Sequence, residues 1–175
     1  MPIVLGAELT VAELEELEAR ELRRCACHEA SHREIIELLG GAAHASVWRN
    51  PSGNPDERAW RGSCRISIQP GTWKMMEIAI AVLGRDTPPE NWETLFGVAG
   101  FVGTCLLEGD HEIDILNGLL NDSDMGEISA SDREFMGDDV SFEDIGTVIS
   151  LLTARWAEVV LEAEGLMSCA RAGCP

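Results

Sequence analysis

Basic residues are scarce in this sequence: 13 Lys and Arg stand against 31 Asp and Glu among 175 residues, a formal net charge of −18. Such a surface repels phosphate backbones and anionic lipid headgroups, which argues against nucleic acid and membrane as partners. The imbalance is uneven. Residues 1–85 hold 12 acids and 10 bases, net −2, whereas residues 86–175 hold 19 acids and 3 bases, net −16. It reads first as a solvated face that aids solubility, and second as a surface for a basic partner.

Long apolar runs are missing as well. No stretch of about 18 apolar residues could span a bilayer, and Met1 to Gly6 lacks the basic start and length of a secretory leader. A cytoplasmic protein is the expectation. The six cysteines, at positions 25, 27, 64, 105, 169 and 174, are scattered and include neither C-x₂-C pair of a zinc ribbon. Reduced thiols are therefore expected rather than disulfides or a cysteine-held metal. Internal repeats and low-complexity tracts are absent. The chain suits one domain over residues 1–175, long enough to bury a core without metal or disulfide staples, so a metal here would serve function rather than stability. An oligomer is compatible with the sequence, which does not set the number of copies.

What is present is mostly helix pattern. Thr10 and Glu13 have capping-box spacing, and Val11 to Leu39 runs without Gly or Pro until Gly40-Gly41, predicting one long helix or two that abut near Arg24. His44 to Arg49 and Gly62 to Ile68 change to β-branched and aromatic texture around the turn formers of Asn50 to Asp56, predicting a β-hairpin. Further helices are expected over Thr72 to Leu83, Trp92 to Glu108 and Glu112 to Leu120, with loops over Arg85 to Glu90 and Asn121 to Ser131. Small residues at Gly97, Ala99, Gly100 and Gly103 permit close packing of the second of these. Ser141 with Asp144 starts a last helix whose apolar spacing runs to about Met167. The fold class is mainly α with a small β-hairpin, an α+β arrangement.

Chemistry concentrates in His28-Glu29-Ala30-Ser31-His32. Residues four apart share a helix face, so His28 and His32 can offer two imidazole nitrogens to one ion in the H-E-x-x-H manner. Glu29 lies about 100° further round the helix, where a carboxylate can act as general base without ligating the metal. Zinc suits this set, because it polarises a carbonyl and lowers the pKa of bound water to about 7. A catalytic zinc site takes three protein ligands and an open position. Leu38 stands where the metzincin pattern needs a third His. Glu108, Asp110, His111, Glu112, Asp114, Asp122, Asp124 and Asp132 are all candidates, and composition does not choose among them. His44 reads as incidental.

The segment Arg24-Cys25-Ala26-Cys27-His28-Glu29-Ala30-Ser31-His32 resembles the H-E-A-G-H helix of the FtsH-type zinc peptidases. The order of parts over roughly residues 20–165 is similar: motif helix, small β region, an apolar helix containing Val98-Ala99-Gly100-Phe101-Val102-Gly103, an acidic ligand, and a terminal helix bearing Trp156. The resemblance implies a compact helical peptidase domain. It also implies an aspartate near a later helix start as third ligand, which selects Asp132 in Ser129-Ala130-Ser131-Asp132, with Asp124 next in order. This sequence departs from the family in Ser31, where Gly is usual, and in Arg33-Glu34 after the motif. With no ATPase module or membrane anchor in the sequence, it is expected to cut only peptides or flexible, unfolded segments.

The leading expectation is thus a zinc metallopeptidase with His28, His32 and Asp132 on the metal and Glu29 as base. The strand near Arg65 to Ile68 either receives an extended substrate along its edge or is covered by the Gly71 to Leu83 segment. The alternative is a non-catalytic metal-binding or regulatory protein whose acidic C-terminal half contacts a partner. A hydrolase of non-peptide amides comes third, since zinc and a carboxylate do not select a substrate by themselves.

Overall fold

The computed structural model describes residues 10–54, 57–71, 77–120 and 128–173. Among these it has seven helices and one two-stranded antiparallel sheet, the mainly helical α+β class. The first helix, α1, is continuous over Val11–Leu38. Thr10 caps it: the Thr10 hydroxyl accepts from Glu13 N–H at 3.3 Å, and the Glu13 carboxylate accepts from Thr10 N–H at 2.7 Å. Such a box offsets about 1 kcal/mol of unpaired backbone. The chain leaves the helix at Gly40, whose φ of 79° is open to glycine without strain. From Leu22 onward α1 is the spine of the core, with Ile35, Ile36 and Leu38 fully buried, each contributing roughly 1.5–3 kcal/mol by leaving water. Its first ten residues are exposed almost throughout.

Strands β1 (Ala42–Arg49) and β2 (Trp60–Ile68) form the hairpin, paired with Val47 opposite Gly62 and Ala45 opposite Cys64. Both strands begin two residues earlier than the sequence pattern indicates. The helices that follow are α2 (Glu77–Leu83), α3 (Trp92–Glu108), α4 (Glu112–Leu120) and α5 (Ala130–Met136). The first part of the expected Thr72 to Leu83 helix, and most of the expected Asn121 to Ser131 loop, lie outside the described residues.

The last expected helix is two: α6 (Phe142–Ala154) and α7 (Trp156–Ala172), broken at Arg155 with φ −118° and ψ 22°. The apolar spacing passes through the break, so local pattern does not reveal it. Arg155 turns inward at this corner, where its Nε donates to Glu34 of α1 at 2.8 Å. Arg33 bonds Glu37 at 2.8 Å and also pairs with Glu162 of α7. Together these fix α7 along one flank of α1.

On the other flank lies α3, and here three glycines set the geometry. A Cβ on Gly103 would stand 1.9 Å from Ser31 Oγ, and one on Gly97 would stand 2.7 Å from the Asp132 carbonyl oxygen. The i, i+3 stripe Gly97, Gly100, Gly103 therefore lets α1 and α5 both approach α3 closer than side chains would allow. A helical glycine costs about 1 kcal/mol against alanine, so the stripe is a local cost offset by tertiary packing. Among the described residues no helix is long and apolar enough to cross a membrane.

Candidate metal centre

The glycine stripe brings α1 and the start of α5 to one point. His28 Nε2 and His32 Nε2 are 3.1 Å apart, on successive turns of α1, with the rings edge to face. Asp132, in the first turn of α5, completes a triangle: its Oδ2 is 3.1 Å from His28 Nε2 and its Oδ1 is 3.3 Å from His32 Nε2. Ser129 caps α5 by accepting from Asp132 N–H at 3.0 Å, which sets the direction of the carboxylate-bearing turn. His32 and Asp132 are buried and His28 is partly open.

The tautomer of His32 follows from its second nitrogen. Nδ1 lies 2.7 Å from the carbonyl oxygen of Phe96 in α3, which only accepts, so Nδ1 carries a proton and Nε2 is the nitrogen that faces the centre, with a lone pair for a metal when that nitrogen is unprotonated. Two imidazole nitrogens at 3.1 Å facing a carboxylate need a cation or shared protons between them. Both carboxylate oxygens of Asp132 face the imidazole nitrogens, and the three groups together could hold one metal ion. Among the described residues these three form the only cluster of His, Cys, Asp or Glu with ligand atoms mutually within 4.8 Å.

Gly100 is the floor of the centre, since a Cβ there would lie 2.4 Å from His28 Cε1 and Nε2 and 2.5 Å from His32 Nε2. Gly62 of β2 closes it from the opposite side: a Cβ there would stand 2.5 Å from Glu29 Cγ and Oε1. Glu29 is consequently 93% shielded, at 7% exposure. Burial pushes its carboxyl up to about 7, the His28 charge opposes this, and Asp132 adds to it. Asp132 behaves in the opposite way. Burial would raise its carboxyl, but the hydrogen bonds and charges of His28 and His32 outweigh that and hold it well below the usual carboxylate range.

The other sequence candidates fall elsewhere. Glu108 pairs with Arg24 at 3.2 Å, Asp110 lines the outer cleft, and His111, Glu112 and Asp114 are exposed at the start of α4, none within the cluster. His44 is exposed on β1. Asp122 and Asp124 lie outside the described residues. Cys25 and Cys64 both sit in the field of Glu29, and burial with that charge pushes each thiol up to about 12. They are neutral neighbours, and Cys25, Cys27 and Cys64 are free thiols.

A cleft of about 780 Å³ leads away from the centre. Its floor is the α1 face carrying His28, Glu29, Cys25 and Glu21; Trp48 and Trp60 of the hairpin form one wall and Phe101 of α3 the other. Sequence reasoning overlooked Phe96, Gly100 and Gly62 as parts of the centre. The i, i+3 repeat of glycines in α3 was the available signal for Gly100. A carbonyl such as that of Phe96 leaves none. No protein-family model matches the chain, and no curated protein matches it.

Proposed function

We propose that this protein is a zinc-dependent metallopeptidase acting on peptides and flexible segments of unfolded proteins. The observation that carries the reading is the convergence of His28 Nε2, His32 Nε2 and Asp132 on one point, beside a shielded carboxyl on Glu29. The donor set of two imidazoles and one carboxylate fits zinc, which when bound would polarise a scissile carbonyl and make water a better nucleophile at neutral pH.

The chain's own residues divide the remaining work. His28, His32 and Asp132 would hold the ion, and the Phe96 carbonyl keeps His32 in the tautomer that can bind one. Glu29 takes a proton at its carboxylate and passes it to the leaving amine, a role matched to a carboxyl whose pKa is near the working pH. Trp60 and Phe101 line the approach with apolar surface and limit water at the reacting bond. Among the described residues β2 pairs with β1 alone, so its second edge is the one to which an extended peptide would add, and α2 packs against α6. The similarity to FtsH-type peptidases in motif and order of parts supports the same reading, including the choice of Asp132.

The test is turnover of unstructured peptides by the zinc-loaded protein and by Glu29→Gln. The variant keeps the side-chain shape and removes the base, so it should bind zinc as the parent does and lose about 10²–10⁴-fold in rate. A parent that cleaves no flexible peptide, or a Glu29→Gln protein that cleaves as fast, would contradict the proposal.

A further inference from the structure

Several exposed apolar side chains gather at the start of α1, beyond the end of the cleft: Val11 is 72% exposed, and Leu14 and Leu17 are 48% exposed each. Their position on the helix is informative. Leu14, Leu17, Glu21, Cys25 and His28 follow one another at intervals of three, four, four and three residues, which keeps all five on one face of α1. Glu21, Cys25 and His28 are the floor of the cleft. The exposed leucines are thus the same floor carried outward, past the point where the hairpin wall ends at the ion pair of Arg49 with Glu18, 2.9 Å. Trp48, itself 40% exposed, stands on that wall.

We infer that the exposed first half of α1 is an outer track of the substrate cleft, which takes an apolar, positively charged segment of an unfolded polypeptide. This rests on the peptidase reading and extends it to substrate class. Distance sets which part of a substrate is read. At 1.5 Å per residue, Leu17 lies roughly 16 Å and Leu14 roughly 21 Å along α1 from His28, and an extended chain covers that in about five to six residues. Charge sets the chemistry. Val11 to Glu18 carries Glu13, Glu15, Glu16 and Glu18 and no base, on a chain of net charge −18, so this segment's own charges are all acidic, with Glu18 paired to Arg49. A segment mixing apolar and basic residues complements it, whereas a second copy of this chain would bring the same acids against it. Leucines left in water are also suited to a partner that comes and goes.

The test measures binding without turnover, on full-length Glu29→Gln protein loaded with zinc. The probes are fluorescein-labelled peptides of leucine, lysine and serine, one of about six residues that fills the cleft and one of about fourteen that also reaches the leucines. The longer peptide should bind about tenfold tighter or better. Leu14→Glu with Leu17→Glu should erase that advantage while zinc content matches the parent, since both positions are surface sites. A longer peptide built with glutamate in place of lysine should gain nothing. The inference is overturned if the advantage survives the double substitution or if the glutamate peptide binds as well. It is also overturned if the protein sediments as a dimer that the double substitution dissociates, or if deleting residues 1–9 tightens the longer peptide's binding, which would assign the face to a second copy or to the chain's own start. Short-peptide binding with no gain on lengthening sinks this extension alone; absence of binding by either peptide sinks the peptidase reading with it.

Discussion

Gly100 of α3 lies so close to His28 of α1 that a single methyl group on it would stand 2.4 Å from the imidazole Nε2. His32 is buried and tied to the Phe96 carbonyl at 2.7 Å, and His28 can withdraw only by giving up its contact with Asp132. Gly100→Ala should therefore disturb the centre more than the fold. We expect zinc affinity to fall by at least about tenfold, with a stability loss of roughly 1–3 kcal/mol from overpacking. Zinc titration and thermal unfolding check this against Gly165→Ala on α7, where an added Cβ meets nothing within 4 Å and the substitution should stabilise by up to about 1 kcal/mol. Unchanged zinc affinity in Gly100→Ala would mean that the helices can separate freely, against the packing described.

Glu34 and Arg155 form a second long-range pair, and it holds α7 to α1. Glu34 is 8% exposed, so Arg155→Ala would strand a buried carboxylate at a cost of about 2–4 kcal/mol, whereas Arg155→Met with Glu34→Gln should recover much of the loss. Denaturant unfolding of the three variants measures this. Arg155→Ala with parental stability would remove the reason given for the break between α6 and α7.

The shielded carboxyl of Glu29 makes the metal-free protein pH-sensitive in a defined direction. Its pKa rises from 4.5 to about 7 on folding, so the folded state holds a proton that the unfolded state releases. The stabilisation linked to that proton is fully present below about pH 4.5 and is lost as pH rises through about 7, amounting to roughly 3 kcal/mol. Glu29→Gln has no such proton. Compared by thermal unfolding without metal, the variant should gain on the parent between pH 4.5 and 8, and bound zinc should shrink the difference by favouring the carboxylate. A constant difference across that range would show that burial does not perturb Glu29.

Much of this architecture is legible in the sequence because it is local. The Thr10 and Glu13 box, the glycine-free run to Leu39 and the turn formers after Asn50 define α1 and the hairpin, and the four-residue spacing puts His28 and His32 on one face. Asp132 is different. It lies 104 residues from His28 in sequence, and only resemblance in the order of parts singles it out from the other acids. Its arrival at the histidines depends on α5 docking into Gly97 of α3, a steric relation between elements that periodicity does not encode. The corner at Arg155 was illegible for a related reason. The apolar spacing of Ile149, Leu152, Trp156 and Val159 suits an unbroken helix, and the break answers to Glu34 on a distant element.

The central claim is that His28, His32 and Asp132 hold one metal ion, and elemental analysis of protein equilibrated with limiting zinc and then dialysed tests it most directly. The parent should retain about one zinc per chain, and Glu29→Gln the same, because Glu29 is not a ligand. His28→Ala, His32→Ala and Asp132→Ala should each retain less than about a tenth of that while keeping their helical circular dichroism, since a two-ligand remnant binds weakly. Full zinc retention by the Asp132→Ala and His32→Ala proteins, or a parent that binds none, would contradict the account.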